Sequence, residues 1–288
     1  MLTGWLRHRP RGIELKVIRH AGRRWEVLPG GEELVRSRAD WSADALREEF
    51  GADLLRKKGD QRFVFRLKAA GREAVVKVEI SSRFKPRIRS LYGRCKARKE
   101  WENHLIAFQR GLPTVPPLAL GEFRNPLLMH EAVVITTWRE GAPAVSAWRR
   151  QEPGRPQSDT ALEIAARLGR IAAQTHKAGV YHNEMFVGNV LVDESSGEPE
   201  LLLIDWKHAR IKRRSTENDV QNLVRTNWGF NYGMRDVPPS DRERAVFLAA
   251  YLEATADRTD RAELAAGLRQ ACPDADWLND LFGPDGPA

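Results

Sequence analysis

The feature that most constrains this chain is the stretch at residues 179–206, which reads GVYHNEMFVGNVLVDESSGEPELLLIDW. It contains two short apolar segments, residues 190–192 and 201–204, separated by polar residues that include Ser-Ser-Gly-Glu-Pro. Apolar runs of this length with a Gly- and Pro-containing turn between them predict a β-hairpin. A hairpin brings the open ends of its two strands together, so we expect the residues beside those ends to share one small volume.

Three polar side chains flank the open end of this predicted hairpin. Asn189 opens the first strand, Asp205 follows the second, and Glu184 lies five residues before Asn189. Amide and carboxylate oxygens are ligands that Mg²⁺ accepts, so Asn189 and Asp205 are candidate metal ligands. Glu184 is placed to accept a proton from a hydroxyl group. The hairpin therefore predicts a magnesium site beside a general base.

The earlier part of the chain predicts a β-meander at residues 53–80. Its last strand places Lys77 on the same face as Val75, because alternate side chains of a strand share a face. On that face the valine could lie under a purine while the lysine reaches its phosphates, or the face could simply be solvated. A helix predicted at residues 96–110 carries Glu100, which allows an ion pair with Lys77.

The remainder of the chain predicts two further strands followed by helices. The strands are at residues 118–123 and 132–138, and the sequence EGAP at 140–143 then breaks the pattern. Helical periodicity or capping residues predict the following helices: residues 160–177, 217–225, 241–255 and 260–270. The pattern predicts an α+β fold with two lobes.

These elements predict a β-rich N-terminal lobe at residues 1–138, a hinge near residues 138–143 and a helical C-terminal lobe at residues 144–288. No chemistry is assigned to residues 1–46. There, Gly30 and Gly31 indicate a hairpin turn, and Ser42 is the expected N-cap of a short helix.

Composition restricts the compartment and the partners. The net charge of +8 favours an anionic partner, such as nucleic acid, an acidic membrane face or a phosphorylated glycan. Only two cysteines are present, Cys95 and Cys272, in no metal-binding pattern, which favours a reducing compartment. No apolar run approaches the roughly 18 residues of a membrane span. We therefore expect a cytoplasmic protein that can contact a membrane surface.

Several enzyme classes are excluded as first choices by their missing motifs. The chain has no GxxxxGK[ST], HExxH or GxSxG sequence and no CxxC pair. P-loop NTPases, zincins, α/β-hydrolases and zinc ribbons normally carry these motifs.

The order of the candidate residues resembles that of the protein-kinase-like fold. A strand lysine (Lys77), a helix glutamate (Glu100), a loop carboxylate (Glu184), Asn189 and a hairpin-terminal Asp205 occur in kinase order. More narrowly, the chain resembles the lipopolysaccharide core kinases of the Kdo/WaaP family. The resemblance is carried by four stretches: KARKEWENHLIAFQRGLPTVPPLALGE (96–122), GVYHNEMFVGNVLV (179–192), LLIDWKHARI (202–211) and PSDRERAVFLAAY (239–251).

The resemblance implies a reaction, in which a heptose or Kdo hydroxyl of the lipopolysaccharide inner core is phosphorylated by ATP with Mg²⁺. This would occur at the cytoplasmic face of the inner membrane, with an anionic glycolipid as partner and no nucleic acid. By resemblance, Lys77 holds the ATP phosphates and pairs with Glu100, Asn189 and Asp205 bind Mg²⁺, and Glu184 orients or deprotonates the acceptor hydroxyl. The basic residues Arg210, Lys212, Arg213 and Arg214 either bind an anionic group of the acceptor or form a solvated surface, and Arg210 and Lys212 are the named candidates. The family resemblance also implies that the N-terminal lobe covers a nucleotide and that the C-terminal lobe carries the catalytic loop and the metal site.

The chain departs from the kinase pattern at three places. Glu184 stands where kinases generally carry Asp, and the expected nucleotide-covering turn near Gly59 holds one glycine. Asp205 is followed by Trp206 and Lys207 rather than Phe-Gly. Two alternatives stay open: a small-molecule phosphotransferase of the aminoglycoside or choline kinase type, and a nucleotide-binding pseudokinase that acts through partners.

Three polar residues near the hairpin are interpreted as structural. His182 is expected to organise its loop by hydrogen bonding, and His176 to be packed at a helix end. Asp219 resembles the buried helix aspartate that braces the catalytic loop of kinases.

Overall fold

The computed structural model describes residues 13–51, 54–58, 61–80, 95–125, 128–139, 141–143, 159–193, 200–233, 238–256 and 260–283. The expected nucleotide-covering turn at Gly59, the expected hairpin turn at residues 195–199 and position 140 of the expected hinge lie outside these ranges. The chain divides into two compact units. The first comprises Met1–Gln109 with Val115–Arg139, and the second Arg110–Thr114 with Glu140–Ala288. A hinge motion at residues 138–143 stays a prediction.

The first unit contains an antiparallel sheet of seven strands, in the order β1-β2-β6-β7-β5-β4-β3. The predicted meander supplies three neighbouring strands of this sheet. The strands of the sheet are β1 (Lys16–His20), β2 (Arg23–Val27), β3 (Leu54–Lys58), β4 (Arg62–Ala69), β5 (Arg72–Ile80), β6 (Pro117–Asn125) and β7 (Leu128–Thr137).

Helices cover the two faces of this sheet. On one face, alternate side chains of β4 and β5, such as Phe63, Phe65 and Val76, form a core with Trp25 and Trp41. On the other face a smaller core holds the helix that follows β5. The helices of this unit are α1 (Gly31–Arg36), α2 (Ala43–Phe50) and α3 (Lys96–Gln109).

The N-terminal region corrects one expectation and supports another. Gly30 and Gly31 do not form a hairpin turn: Gly30, with φ of 83°, precedes α1, and the β1–β2 turn lies at Ala21 and Gly22 instead. The hairpin interpretation overlooked Glu32 and Glu33, which occupy the first turn of α1 and favour a helix N-terminus. Ser42 is the N-cap of α2, as predicted, and its side chain accepts a hydrogen bond from the Ala45 N–H.

The second unit is mainly helical. The helices α4 and α6 pack against each other over much of their length. Gly169 permits this approach, because a Cβ at that position would lie 2.1 Å from the carbonyl oxygen of Phe247. The described helices of the second unit are α4 (Asp159–Lys177), α5 (Thr216–Gly233), α6 (Asp241–Thr255), α7 (Arg261–Ala271) and α8 (Asn279–Phe282).

Two small sheets in this unit carry the candidate loop. The predicted hairpin is present: β10 pairs with β11, and β8 pairs with the other edge of β10. The expected break at 140–143 thus contains a short strand. A second pair joins β9 to β12. The strands are β8 (Ala142–Pro143), β9 (Val180–Tyr181), β10 (Val190–Asp193), β11 (Glu200–Leu203) and β12 (Arg210–Ile211).

The segment Arg110–Thr114 follows α3 in sequence but belongs to the second unit. The Leu203 N–H donates to the Pro113 carbonyl at 2.9 Å, and the Thr114 hydroxyl donates to the Leu203 carbonyl at 2.7 Å. This segment therefore supports β11 close to Asp205. Among the described helices, none is both long and apolar enough to cross a membrane.

Candidate functional site

In the first unit, the predicted ion pair between Lys77 and Glu100 is present. Lys77 on β5 pairs in register with Val134 of β7, so both side chains lie on the sheet face that α3 covers. The Lys77 Nζ donates to Glu100 Oε1 at 2.5 Å, and the Glu100 side chain is only 4% exposed. The ion pair thereby fixes the position of the Lys77 ammonium group.

Val75 lies two residues before Lys77 on the same strand and is partly buried. It pairs in register with Thr136 of β7. The face therefore offers an apolar side chain next to the lysine, which is the arrangement that the sequence predicted for a nucleotide. Its use by a nucleotide stays a prediction.

A buried charge network fixes the helix that carries Glu100. The guanidinium of Arg98 donates to Glu26 Oε2 at 2.7 Å and to Glu122 Oε2 at 2.6 Å, and the Trp101 Nε1 also donates to Glu26. Burial opposes the charge, but the two glutamates outweigh it and raise the pKa of Arg98. Because a buried charge without its partner is costly, this network ties α3 to β2 and β6.

This network was not predicted from the sequence. Arg98 lies between Ala97 and Trp101, beside the apolar stripe of α3. A charged residue next to a buried helix face was the signal that could have indicated a buried ion pair. The nearby Cys95 is buried, and burial together with Glu122 raises the pKa of its thiol to about 12. The thiol is therefore protonated at neutral pH and is a poor nucleophile.

In the second unit, His182 anchors the loop that carries Glu184. Its ring is fully buried, its Nε2 lies 3.0 Å from the Ile204 carbonyl, and it packs edge-on against Trp206 with ring centroids 4.6 Å apart. Burial lowers the pKa of His182 to about 4, so the ring is neutral at pH 7. His182 therefore has the structural role that was expected from the sequence.

A chain of side-chain hydrogen bonds fixes the same loop from the side of α5. His176 Nε2 lies 2.8 Å from Asn222 Oδ1, and Asn222 Nδ2 donates to Asn183 Oδ1 at 3.2 Å. Asn183 then donates to the His208 carbonyl at 3.0 Å. Asn183 has a positive φ of 30°, which Asn tolerates better than most residues.

Asp219 of α5 braces the loop through tyrosine hydroxyls, as expected. It accepts hydrogen bonds from Tyr181 at 2.9 Å, from Tyr251 at 3.0 Å and from Arg214 Nε at 3.1 Å. Burial and the Asp219 carboxylate raise the pKa of both tyrosines. Because Tyr181 immediately precedes His182, the aspartate supports the start of the loop directly.

The predicted hairpin brings Glu184, Asn189 and Asp205 together. Asn189 Nδ2 donates to the Glu184 carbonyl at 2.9 Å, and the Ile204 N–H donates to the Asn189 carbonyl at 3.0 Å. Asp205 has left-handed backbone angles, with φ of 65° and ψ of 61°, and begins a 3₁₀ turn at Trp206–His208. This conformation is uncommon for a residue other than glycine and is a feature of strained functional sites.

A lysine and a histidine side chain lie close to the two carboxylates. Lys207 Nζ lies 2.5 Å from Asp205 Oδ2 and 3.5 Å from Glu184 Oε2. His208 Nε2 lies 3.5 Å from Glu184 Oε1. The two carboxylates thus converge on the ammonium group of Lys207, a residue to which the sequence analysis assigned no function.

The side-chain oxygens of Asn189 and Asp205 suit a magnesium ion whose remaining ligands are substrate phosphates and water. The amide of Asn189 uses its nitrogen towards Glu184, which leaves its oxygen as an acceptor, and Asp205 adds a carboxylate. Within the described ranges no three His, Cys, Asp or Glu side chains cluster as a metal site. One or two oxygen ligands from the protein, together with phosphates and water, are what Mg²⁺ sites in phosphoryl-transfer enzymes use.

Arg210 and Lys212 lie beyond Asp205 on an exposed polar surface. Together with Arg225 and the loop residue Asn183 they line one polar concavity, and Lys212 Nζ donates to Asn218 Oδ1 at 2.6 Å. Among the described residues, no carboxylate forms an ion pair with Arg210 or Lys212. Cations without acidic partners beside the candidate loop are suited to an anionic ligand.

A β-rich unit with a strand lysine paired to a helix glutamate, together with a helical unit whose hairpin ends at Asp205, is typical of the protein-kinase-like class. Within that class the chain belongs to the lipopolysaccharide kinase (Kdo/WaaP) family, whose model matches residues 54–251. No curated protein matches the chain. The family resemblance and the kinase-like α+β fold expected from the sequence are confirmed.

The solved structure of WaaP supports the fold. The structure is similar to that of WaaP in complex with acyl carrier protein, with a TM-score of 0.55, 18% sequence identity, and 89% of this chain and 98% of that chain covered. It is also similar to the kinase domain of Mycobacterium tuberculosis PknI, with a TM-score of 0.45, 16% identity, and 76% of this chain and 93% of that chain covered.

Membership of this family makes the chain a lipopolysaccharide kinase, a phosphotransferase with an alcohol group as acceptor. ATP is the phosphoryl donor of such kinases, and a divalent metal generally accompanies it. The acceptor is a glycolipid.

Proposed function

We propose that this protein transfers the γ-phosphoryl group of ATP to a hydroxyl of heptose or Kdo in the lipopolysaccharide inner core. The observation that carries this proposal is the convergence of Glu184, Asn189 and Asp205 at the open end of the β10–β11 hairpin. A base, an amide and a carboxylate at one place are what transfer to an alcohol requires.

In the proposed reaction Glu184 accepts the proton of the acceptor hydroxyl. The Glu184 side chain is 23% exposed, so an incoming sugar can reach it. Lys77, held by Glu100, binds the ATP phosphates, and Val75 lies against the adenine. Asn189 and Asp205 hold Mg²⁺, which when bound neutralises charge on the ATP phosphates. Positioning and charge neutralisation are the main contributions that a protein makes to phosphoryl transfer.

The acceptor is proposed to be bound through its anionic groups. Arg210 and Lys212 are exposed next to the loop that carries Glu184, and inner-core lipopolysaccharide offers Kdo carboxylates and phosphates. The net charge of +8 favours peripheral contact with an anionic membrane face, which we place at the inner face of the inner membrane.

The proposal is tested by measuring ATP turnover with Mg²⁺ on core lipopolysaccharide, and in parallel on small alcohols such as an aminoglycoside and choline. We expect phosphate transfer to the lipopolysaccharide alone, and its loss in Asp205→Asn. Turnover on the small alcohols alone would support the small-molecule phosphotransferase. Equal inactivity of wild type and Asp205→Asn, with nucleotide still bound, would support a pseudokinase and contradict the proposal.

A further inference from the structure

We infer that Lys207 binds the phosphoryl group while it is transferred, as a further catalytic residue of this kinase. The inference rests on the proposed function, because it uses Glu184 as the base and Asp205 as the metal ligand. Lys207 Nζ lies 2.5 Å from Asp205 Oδ2 and 3.5 Å from Glu184 Oε2. Among the described residues, Lys207 is a cation whose Nζ lies within 3.5 Å of both carboxylates.

The Lys207 ammonium group lies where the phosphoryl group must pass during transfer. The base must contact the attacking hydroxyl, and the metal ligand must act on oxygens of the ATP phosphates. The transferred phosphorus therefore passes between the atoms served by Glu184 and those served by Asp205. A cation within 3.5 Å of both carboxylates lies along that path. Charge on the equatorial oxygens of the phosphoryl group requires cations there.

The backbone holds Lys207 rigidly while its side chain can adapt. Trp206 is fully buried and its Nε1 donates to the Thr114 hydroxyl at 2.9 Å, and the Ala209 N–H closes the 3₁₀ turn on the Trp206 carbonyl at 3.0 Å. The lysine follows this anchor with a side chain that is 16% exposed. An ammonium group largely removed from water interacts with a phosphate more strongly than an exposed one.

The bonding changes do not involve a proton of Lys207. The acceptor oxygen forms a bond to the γ-phosphorus, the bond from that phosphorus to the bridging oxygen of ADP breaks, and Glu184 takes the hydroxyl proton. Lys207 exchanges part of its contact with the carboxylates for contact with the phosphoryl oxygens, because an ammonium group has three hydrogen atoms to donate. No additional reactant is needed.

A purely positioning role makes a different prediction. If Lys207 only held the carboxylates of Glu184 and Asp205 in place, its removal would act on ADP and ATP complexes alike. If it binds the γ-phosphoryl group, only ligands with that group depend on it. Nucleotide affinity therefore separates the two roles without any acceptor.

The test is calorimetric binding of the ATP analogue AMP-PNP and of ADP, each with Mg²⁺, to wild type, Lys207→Met and Lys207→Arg. We expect Lys207→Met to weaken AMP-PNP binding about tenfold to a hundredfold and ADP binding less than about twofold. Lys207→Arg should recover part of the loss. Lys16→Met is the matched control, because Lys16 forms an exposed ion pair with Glu32 at 2.6 Å, and it should change neither affinity.

Equal weakening of both ligands by Lys207→Met, or weakening of neither, would overturn the inference, as would a wild type that binds no nucleotide. Thermal unfolding of each variant shows whether the fold is intact. The proposed function is tested separately. Normal nucleotide binding by the wild type without phosphorylation of lipopolysaccharide would contradict the proposed acceptor. That outcome would not change the conclusion drawn from the binding measurements on the Lys207 variants.

Discussion

The side-chain amide of Asn189 donates a hydrogen bond of 2.9 Å to the backbone carbonyl of Glu184. The candidate metal ligand therefore holds the candidate base by a direct contact. The Ile204 N–H donates to the Asn189 carbonyl, which extends the same support to the residue before Asp205. Because the three positions are coupled in this way, variants that change one charge and keep the size of the side chain are the informative ones.

The length of Glu184 is predicted to be adapted to its surroundings. Its carboxylate lies 3.5 Å from both Lys207 Nζ and His208 Nε2, and an aspartate would withdraw the carboxylate by about 1 Å. We expect Glu184→Asp to lower kcat about a hundredfold, and Glu184→Gln to lower it at least as much because the base is lost. Steady-state kinetics with saturating ATP measures both.

A higher rate in Glu184→Asp would contradict this prediction. It would show that glutamate impairs a site built for aspartate. Glu163→Gln is a suitable control, since Glu163 forms an exposed ion pair with Arg167 at 2.7 Å on α4.

The ion pair of Lys77 and Glu100 is predicted to act on ATP. Lys77→Met removes the ammonium group, and Glu100→Gln removes the charge that positions it. We expect kcat/KM for ATP to fall roughly a hundredfold in Lys77→Met and less in Glu100→Gln. Lys68→Met, which breaks the exposed Lys68–Glu73 pair of 2.6 Å on the same hairpin, should leave ATP kinetics unchanged. Similar kinetics in Lys77→Met and Lys68→Met would refute the assignment.

Asp219 is predicted to be a large contributor to stability. Its carboxylate accepts from two tyrosines and Arg214, and an amide at this position would leave some of these donors without an acceptor. We expect Asp219→Asn to lower the free energy of unfolding by about 2 to 3 kcal/mol, measured by denaturant titration. Glu163→Gln, at an exposed pair, should cost about 0.5 kcal/mol or less. Equal effects of the two variants would argue against the brace.

His182 is predicted to make the protein less stable in mild acid. Burial lowers its pKa from 6.5 to about 4 in the folded chain, so between these values the unfolded chain binds a proton that the folded chain does not. Stability from this group is full above the unfolded pKa and is lost as pH falls towards the folded pKa, by up to about 3 kcal/mol. His176 acts in the same direction, because burial lowers its pKa too.

The measurement compares the free energy of unfolding at about pH 7.5 and about pH 4.5 in wild type and in His182→Asn. The pH-dependent loss should be smaller in the variant, since the asparagine does not titrate. The same pH dependence in both proteins would mean that His182 is not the group responsible.

Local patterns predicted the parts of the site that are close in sequence or lie on regular elements. The hairpin that brings Asn189 and Asp205 together follows from two apolar runs and the turn residues between them. The ion pair of Lys77 with Glu100 follows from the alternation of β5 and the periodicity of α3. In both cases the spacing along a regular element determines where a side chain points.

Contacts between segments that are distant in the chain could not be predicted from the sequence. The burial of Arg98 depends on Glu26 and Glu122, which lie on strands far from it in the chain. Thr114 supports Leu203 and Trp206 only because Arg110–Thr114 joins the second unit. The contacts of Lys207 depend on the left-handed backbone conformation of Asp205. The residue types around that position do not predict this conformation.

The most direct test of the proposed function is mass spectrometry of the core oligosaccharide from cells with and without this protein. Cells that contain it should carry one additional phosphate on an inner-core heptose or Kdo, and cells in which Asp205→Asn replaces the wild type should lack it. An identical phosphorylation pattern with wild type, with Asp205→Asn and without the protein would contradict the account.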